Sequence, residues 1–341
     1  MKVIKVNNVN DAFNRGVDLF QIDINYRRQE SRNGVTLEAN EPVTTVYARP
    51  WERVLFDKTR DANPFFHLIE AIWMIAGSHE LDPIIKFNAG MVQFSDDGET
   101  LNGAYGYRWM NQFDFDQIPY IINILKQDPD SRRAVLQMWD AVNDLENSSK
   151  DVPCNTNIYF KIRDNKLQMT VCNRSNDMIW GAYGANVVHM SVLQEYIAAA
   201  LGVEMGPYYQ VSDSFHIYEN PQWEKLKNNA RLGILTKFMW YPSTLPLVSH
   251  SESFVYECQH FIERLCKLNW NLDTNTFDSV SYRNSFFNKV LEPMVNAFIC
   301  HKERNYVKAQ QFISEIKADD WEAACTNWIH ARRTNYENKN G

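Results

Sequence analysis

Cys154 sits between two polar stretches, directly after Pro153 and just before a strand pattern. Arg132-Arg133 precede it at one strand end and Arg174-Ser175 follow it at another. Such a thiol resembles neither half of a disulfide nor an apolar core residue. Guanidinium groups at strand ends can hold a phosphate and depress a thiol's pKa, so the set suggests an activated nucleophile beside an anion pocket. The plainer alternative is that these arginines are surface residues at turns. Glu70 is the second residue that chemistry could use, because it lies near the middle of the mostly apolar run NPFFHLIEAIWMIAGSH, residues 63–79. A glutamate there is costly unless it is paired or used, or lies on an exposed edge of the helix. The other cysteines, Cys172, Cys258, Cys266, Cys300 and Cys325, fit packing roles. Cys258, His260 and Cys266 match no metal-ligand spacing, so no metal site is expected.

These side chains need elements to position them. Phe66, Ile69, Ile72, Trp73 and Ala76 recur at helical spacing after Asn63-Pro64, which predicts a buried helix carrying Glu70. Residues 117–126 predict a second helix, followed by the polar turn 128–133 and a strand over 134–139. Residues 156–162 and 167–172 predict a hairpin closed at Asp164-Asn165, with Asn157, Tyr159 and Lys161 facing away from Ile158, Phe160 and Ile162. NVVHMSVLQEYIAAAL, residues 186–201, predicts a long helix capped by Asn186 or the residues before it. A strand near 208–211 precedes Asp213, two helical patterns run over about 285–301 and 305–332, and the polar tail 334–341 is expected to fray. The order is mixed α+β, without the regular alternation of a doubly wound fold.

Composition narrows the classes. A length of 341 residues fits two domains or one large enzyme domain. Apolar residues at 45% and charged residues at 23% exclude a disordered or collagen-like chain. A formal charge of −7 argues against wholesale binding of polymeric nucleic acid, though not against a local anion pocket. The best apolar stretch, residues 65–77, is interrupted by His67 and Glu70, so no membrane span is expected. The N-terminal MKVIKVNNVND lacks a signal-peptide core, and six cysteines without a C-x-x-C pair suit reduced thiols, so a cytoplasmic protein is expected. The 13% of aromatic residues suits stacked planar ligands but also an ordinary core.

Several motifs in order are more informative than any one of them. DPDSRR (128–133), PCN (153–155), NRSND (173–177), WG (180–181), Asn186 and SDSFHIY (212–218) together resemble the thymidylate synthases and their relatives, the pyrimidine nucleotide hydroxymethylases. The glutamate helix at 63–79 and LNGAYGYRW (101–109) extend the resemblance, which runs from about Arg32 to Asn220. It implies a single α+β domain over 1–341, a mixed sheet flanked by helices, with a divergent and mainly helical part from about 221. It also implies a homodimer packed through its sheets. By the same resemblance, Cys154 adds to C6 of the pyrimidine, because C5 is too weak a carbon nucleophile until C6 is covalently loaded. Arg174 and Ser175, with Arg132 and Arg133 from the partner subunit and Arg32 as a further member, match the phosphate cage. His216 and Tyr218 match the pair that holds the sugar 3′ hydroxyl. Asp177 and Gly181 match the pterin contacts, and Met91 stands where the family has a tryptophan near the folate ring. Glu70 matches the acid/base glutamate near C4 and Tyr105 the tyrosine that helps remove the C5 proton. The implied cofactor is 5,10-methylenetetrahydrofolate and the implied substrate a pyrimidine deoxynucleoside monophosphate. Loss of tetrahydrofolate would leave an exocyclic methylene on the base.

The departures bear on what quenches that methylene. A synthase uses hydride in a site sealed by a hydrophobic C-terminal segment, whereas here the sequence after His216 continues into a long helical part and ends TNYENKNG. The residue after the nucleophile, usually His, is Asn155, and the glutamine before Arg174 is Asn173. Attack by water is therefore expected over hydride, giving C5 hydroxymethylation, with reductive methylation as the alternative. The base reader falls on Ala185 or, with one residue inserted within 180–185, on Asn186. An amide can serve uracil or cytosine by flipping, and His189 on the same helix either assists or is a core histidine. PCNTNIYF and WGAYGANVVH look closer to the cytidylate enzymes, which leans the expectation toward dCMP over dUMP. Two other classes remain. A Cys-His hydrolase pairing Cys154 with His216 or His189 leaves the four arginines without a role, and a non-catalytic nucleotide- or RNA-binding relative leaves Cys154, Glu70, Tyr105 and Asp177 without one.

Overall fold

Eight strands form one mixed sheet: β1 (Lys2–Val6), β2 (Tyr26–Ser31), β3 (Gly34–Ala39), β4 (Val43–Tyr47), β5 (Val135–Gln137), β6 (Asn155–Arg163), β7 (Lys166–Asp177) and β8 (Glu204–Tyr218). Their order is β1-β4-β8-β7-β6-β5, with β3 pairing the far end of β8 and β2 outside β3. The computed structural model describes residues 1–231, 240–268 and 277–340. The hairpin expected from alternation is β6–β7, and Asp164 and Asn165 close it at φ of 52° and 56°, the left-handed pair that a tight hairpin turn requires. Ile158 and Phe160 point into the core while Tyr159 and Lys161 are exposed.

The helices are α1 (Val9–Phe20), α2 (Pro64–Ile75), α3 (Asp82–Ile85), α4 (Tyr105–Met110), α5 (Gln117–Gln127), α6 (Ala141–Asp144), α7 (Asn186–Leu201), α8 (Pro221–Arg231), α9 (Ser251–Lys267), α10 (Glu292–Lys302), α11 (Tyr306–Glu315) and α12 (Asp319–Asn340). α7 links the parallel strands β7 and β8, which cannot be joined by a tight turn, and packs on both of them. α2 packs on α7, and α9, α10 and α12 pack on α2. Every residue of α2 is buried, so Glu70 does not lie on an exposed helix edge. Each large apolar side chain withdrawn from water on α2 contributes about 1.5–3 kcal/mol, which makes this helix a firm base for the carboxylate it carries.

Some expected boundaries shift. The strand expected near 208–211 is part of the longer β8, whose alternating burial runs from Glu204 to Asp213 and which then continues through Phe215, His216 and Ile217, all buried, to Tyr218. The pattern at 305–332 breaks at residues 316–318 into α11 and α12, and the tail expected to fray is helical through Asn340. The apolar core is continuous from Ile4 to Ile329. No described helix is long and apolar enough to cross a membrane.

Candidate active site

Cys154 lies one residue before β6, where the β6–β7 register slips between Asn155 and Asn157. Such an irregularity re-aims a side chain at the end of a ladder. Arg174 wraps the same loop: its N–H donates to the Cys154 carbonyl at 3.0 Å, Nε to Pro153 O at 2.9 Å and Nη2 to Val152 O at 2.9 Å. Nη2 also stands 3.9 Å from Cys154 Sγ. The expected depression of the thiol pKa is not what the structure gives. Burial pushes the Cys154 thiol up, and the pull of Arg174 and Arg32 is outweighed, with Asp151 and Asp177 adding to the rise.

Cys154 opens into a cavity of about 300 Å³ between α2, α4 and the start of α7. Glu70 lines it, and its Oε2 lies 2.9 Å from His189 Nε2. His189 is thus neither a plain core residue nor independent of the carboxylate. Tyr105, at the first turn of α4, also lines it, and burial followed by the nearby Cys154 and Asp151 pushes its hydroxyl well above the usual phenol range. α4 is held rigidly, because Arg108 grips Asp144 through Nη1 at 2.6 Å and Nη2 at 2.9 Å in a fully buried pair.

Asp177 caps the segment before α7, its Oδ1 accepting the Trp180 N–H at 2.6 Å. Its other oxygen is buried without a hydrogen-bond partner, and burial raises its pKa. From Met178 to Ala185 the chain is π-helical with a kink at Gly184, φ −113° and ψ −105°. An i→i+5 turn holds one more residue than an α turn, so this segment has room for the inserted residue that the Asn186 register expects. The side-chain cap of this continuous helical run is thus among the residues before Asn186, at Asp177, while Ala185 at the start of α7 itself offers no capping side chain. Ala185 and Asn186 both line the cavity, but only Asn186 brings hydrogen-bonding groups. Its Nδ2 donates to Asn176 Oδ1 at 3.1 Å, and Asn176 Nδ2 reaches Ser212 Oγ at 3.0 Å. Gly181 packs so closely that an added Cβ would stand 2.9 Å from Asn176 Oδ1.

A second hollow of about 730 Å³ shares Asp177, Trp180 and Phe94 with the first and adds Arg32 and Tyr218. Arg32 forms the β2–β3 turn with Asn33 and donates to the Ser149 and Lys150 carbonyls at 3.2 and 2.9 Å. Ser175 and Met91 line the inner cavity. His216 is buried opposite Asp177 in the β7–β8 register, with Tyr218 edge-on at 5.4 Å. Arg132 and Arg133 are exposed just before β5 and line neither hollow within one chain. No residue beyond Tyr218 lines either hollow, so among the described residues the C-terminal helices buttress α2 and do not close over the site. Among the described residues no group of His, Cys, Asp and Glu is placed to hold a metal ion.

Three residues at the site have roles that the sequence motifs do not assign. Arg60 donates from Nε to Ile179 O at 2.7 Å and lies 4.1 Å over the Trp180 ring, bracing the π segment. Asn176 orients Asn186. Asp151 lines the cavity three residues before Cys154, a spacing visible in DVPC. Asn155 and Asn173 face each other in register, both buried, with both amide atoms of Asn155 and Oδ1 of Asn173 unpartnered. Buried polar atoms of this kind are ordinarily met by ordered water or ligand.

The family model for Thymidylate synthase matches residues 57–236. A deoxyuridylate hydroxymethyltransferase of Pseudomonas phage M6 is 43% identical over 99% of this chain and 96% of its own length. A protein of the same name from Bacillus phage SP01 is 39% identical over 58% of this chain and 55% of its own. A putative thymidylate synthase of Methanosarcina mazei is 41% identical over 37% of this chain and 56% of its own.

Proposed function

The chain belongs to the thymidylate synthase family of one-carbon transferases, and from that premise we propose that it hydroxymethylates C5 of dUMP with 5,10-methylenetetrahydrofolate as donor. The observation that carries this is the Cys154 thiol opening into one cavity with Glu70, Tyr105, Asp177 and Asn186. Cys154 Sγ adds to C6, which turns C5 into an enolate-like carbon nucleophile. Glu70, held by His189, exchanges protons near O4 through water, and Tyr105 Oη lies on the path of the C5 proton. Arg174, Ser175 and Arg32 hold the phosphate with Arg132 and Arg133 of a second copy, and His216 and Tyr218 hold the sugar. A homodimer through the sheet is supported by Val135 and Tyr159, paired across β5–β6 and exposed at 40% and 44%.

The residues present fit a folate. Asp177 offers a buried, unpartnered carboxylate oxygen to ring N–H donors, and Trp180, Phe94 and Met91 offer flat or soft apolar surface beside it. When bound, this group supplies a one-carbon unit at the oxidation level of formaldehyde, which C5 takes up.

Water as the final nucleophile is supported by the names of the phage relatives, by the unpartnered amide of Asn155 and Oδ1 of Asn173, and by C-terminal helices that leave the hollows open among the described residues. Uracil is favoured over the cytosine that PCNTNIYF and WGAYGANVVH suggested, because the relative matched over nearly its whole length is named for deoxyuridylate and the Asn186 amide can serve O4 and N3–H. The test is turnover of dUMP and dCMP by the wild type and by Asn186→Asp. The wild type is expected to use dUMP at least about 10-fold better, with the carboxylate reversing the preference toward dCMP. Equal use of both bases by both proteins would overturn the uracil assignment.

A further inference from the structure

Asp151 is fixed on several sides within the cavity. Its Oδ2 accepts the Gly103 N–H at 2.7 Å, its carbonyl accepts from Asn102 Nδ2 at 2.9 Å, and its own N–H donates to Ser149 Oγ at 3.1 Å. Oδ1 has no protein hydrogen-bond partner among the described residues. The other acid/base groups of the cavity are engaged in the function above: Glu70 pairs with His189, Asp177 takes the Trp180 N–H on one oxygen and offers the other to the pterin, and Tyr105 is a phenol that stays neutral. Hydroxymethylation needs something that hydride transfer does not, an acceptor for a proton of water.

We propose that Asp151 is the general base for that water, an inference that rests on the hydroxymethylase function above. The water oxygen bonds to the exocyclic methylene carbon while one of its protons passes to the Asp151 carboxylate. The C5-to-methylene π pair moves into the C4 enolate. The enolate then collapses to restore C5=C6 and expels the Cys154 thiolate; Asp151 releases the proton it took to solvent, and the thiolate recovers one from solvent. No oxidant or reductant is consumed, so water and the covalent adduct account for the hydroxymethyl product and free enzyme. Only Val152 and Pro153 separate base and nucleophile along the chain, and Asp151 and Cys154 line the same cavity.

Burial raises the Asp151 carboxyl above the usual range, Glu70 and Asp96 add to the rise, and the Gly103 N–H and Arg108 oppose it. Cys154 and Tyr105 feel its charge in turn. The base form exists above that raised pKa, so hydroxymethyl formation should climb with pH through an acid limb that belongs to Asp151.

The experiment uses Asp151→Asn, which keeps an acceptor for the Gly103 N–H but cannot take the proton, and Asp151→Glu, which keeps the base slightly displaced. Asp151→Asn is expected to bind dUMP normally and to lose about 10²–10⁴-fold in kcat. It should accumulate a protein–nucleotide adduct carrying the extra methylene, seen as intact mass and intercepted by an added small thiol. Asp151→Glu should recover part of the rate and the acid limb. Near wild-type formation of hydroxymethyl product by Asp151→Asn would overturn the role of Asp151 alone, as would a slow variant that accumulates no adduct. A methylated product from the wild type would overturn the proposed function and this role together.

Discussion

Cys154 shows how two local forces compete at one atom. Arg174 Nη2 at 3.9 Å stabilises a thiolate, but withdrawal from water costs the anion more, so the free thiol sits above its ordinary pKa. Alkylation of the ligand-free protein tracks the thiolate fraction, and its rate at Cys154 is expected to be still rising with pH where an exposed cysteine has levelled off. Arg174→Gln removes the nearest cation and should slow alkylation further at every pH, followed by peptide mass mapping. A plateau near neutral pH would contradict this. The residue types of the site were legible in the sequence: Cys154, Glu70, Tyr105, Asp177 and Asn186 do converge on one cavity. What the sequence could not tell was how partners are shared, since the Glu70–His189 pair spans 119 positions and the raised thiol pKa depends on burial.

At the scale of elements, hydrophobic spacing located α2, α5 and α7 well: α5 buries the recurrent Ile118, Ile121 and Leu125, while α2 and most of α7 are apolar runs buried all round. It missed the π segment at Met178–Ala185, whose shape depends on the Asp177 cap and on Arg60 reaching across from before α2. It also left α4 unread, a helix of six residues set by the buried Arg108–Asp144 pair. The approach of α4 to α2 depends on Gly106, where an added Cβ would fall 1.7 Å from the Met74 carbonyl oxygen. That atom is backbone and cannot swing away. Gly106→Ala is expected to cost about 3 kcal/mol or more in denaturant unfolding and to displace Tyr105, lowering activity as well. An alanine variant of native stability would show that α4 does not bear on α2 so closely.

Across the whole molecule, the continuous core joins the sheet, α2 and the C-terminal helices, so the extra length supports the carboxylate helix from behind. That role was not legible in the pattern of residues 285–332, which specified helices but not where they pack. Arg132 and Arg133 are exposed and line neither hollow of their own chain, and the proposed dimer brings them to the neighbour's. Mixing Cys154→Ala chains with Arg132→Ala/Arg133→Ala chains should restore turnover absent from either alone, because one hybrid site regains both parts. A mixture as inactive as its components, with subunit exchange shown by native mass, would contradict a shared site. The central claim, that water and not hydride completes the reaction, is tested most directly by identifying the nucleotide formed from dUMP and 5,10-methylenetetrahydrofolate while following absorbance for dihydrofolate. A product heavier by CH2O with no dihydrofolate is predicted; a product heavier by CH2, with dihydrofolate formed in step, would contradict it.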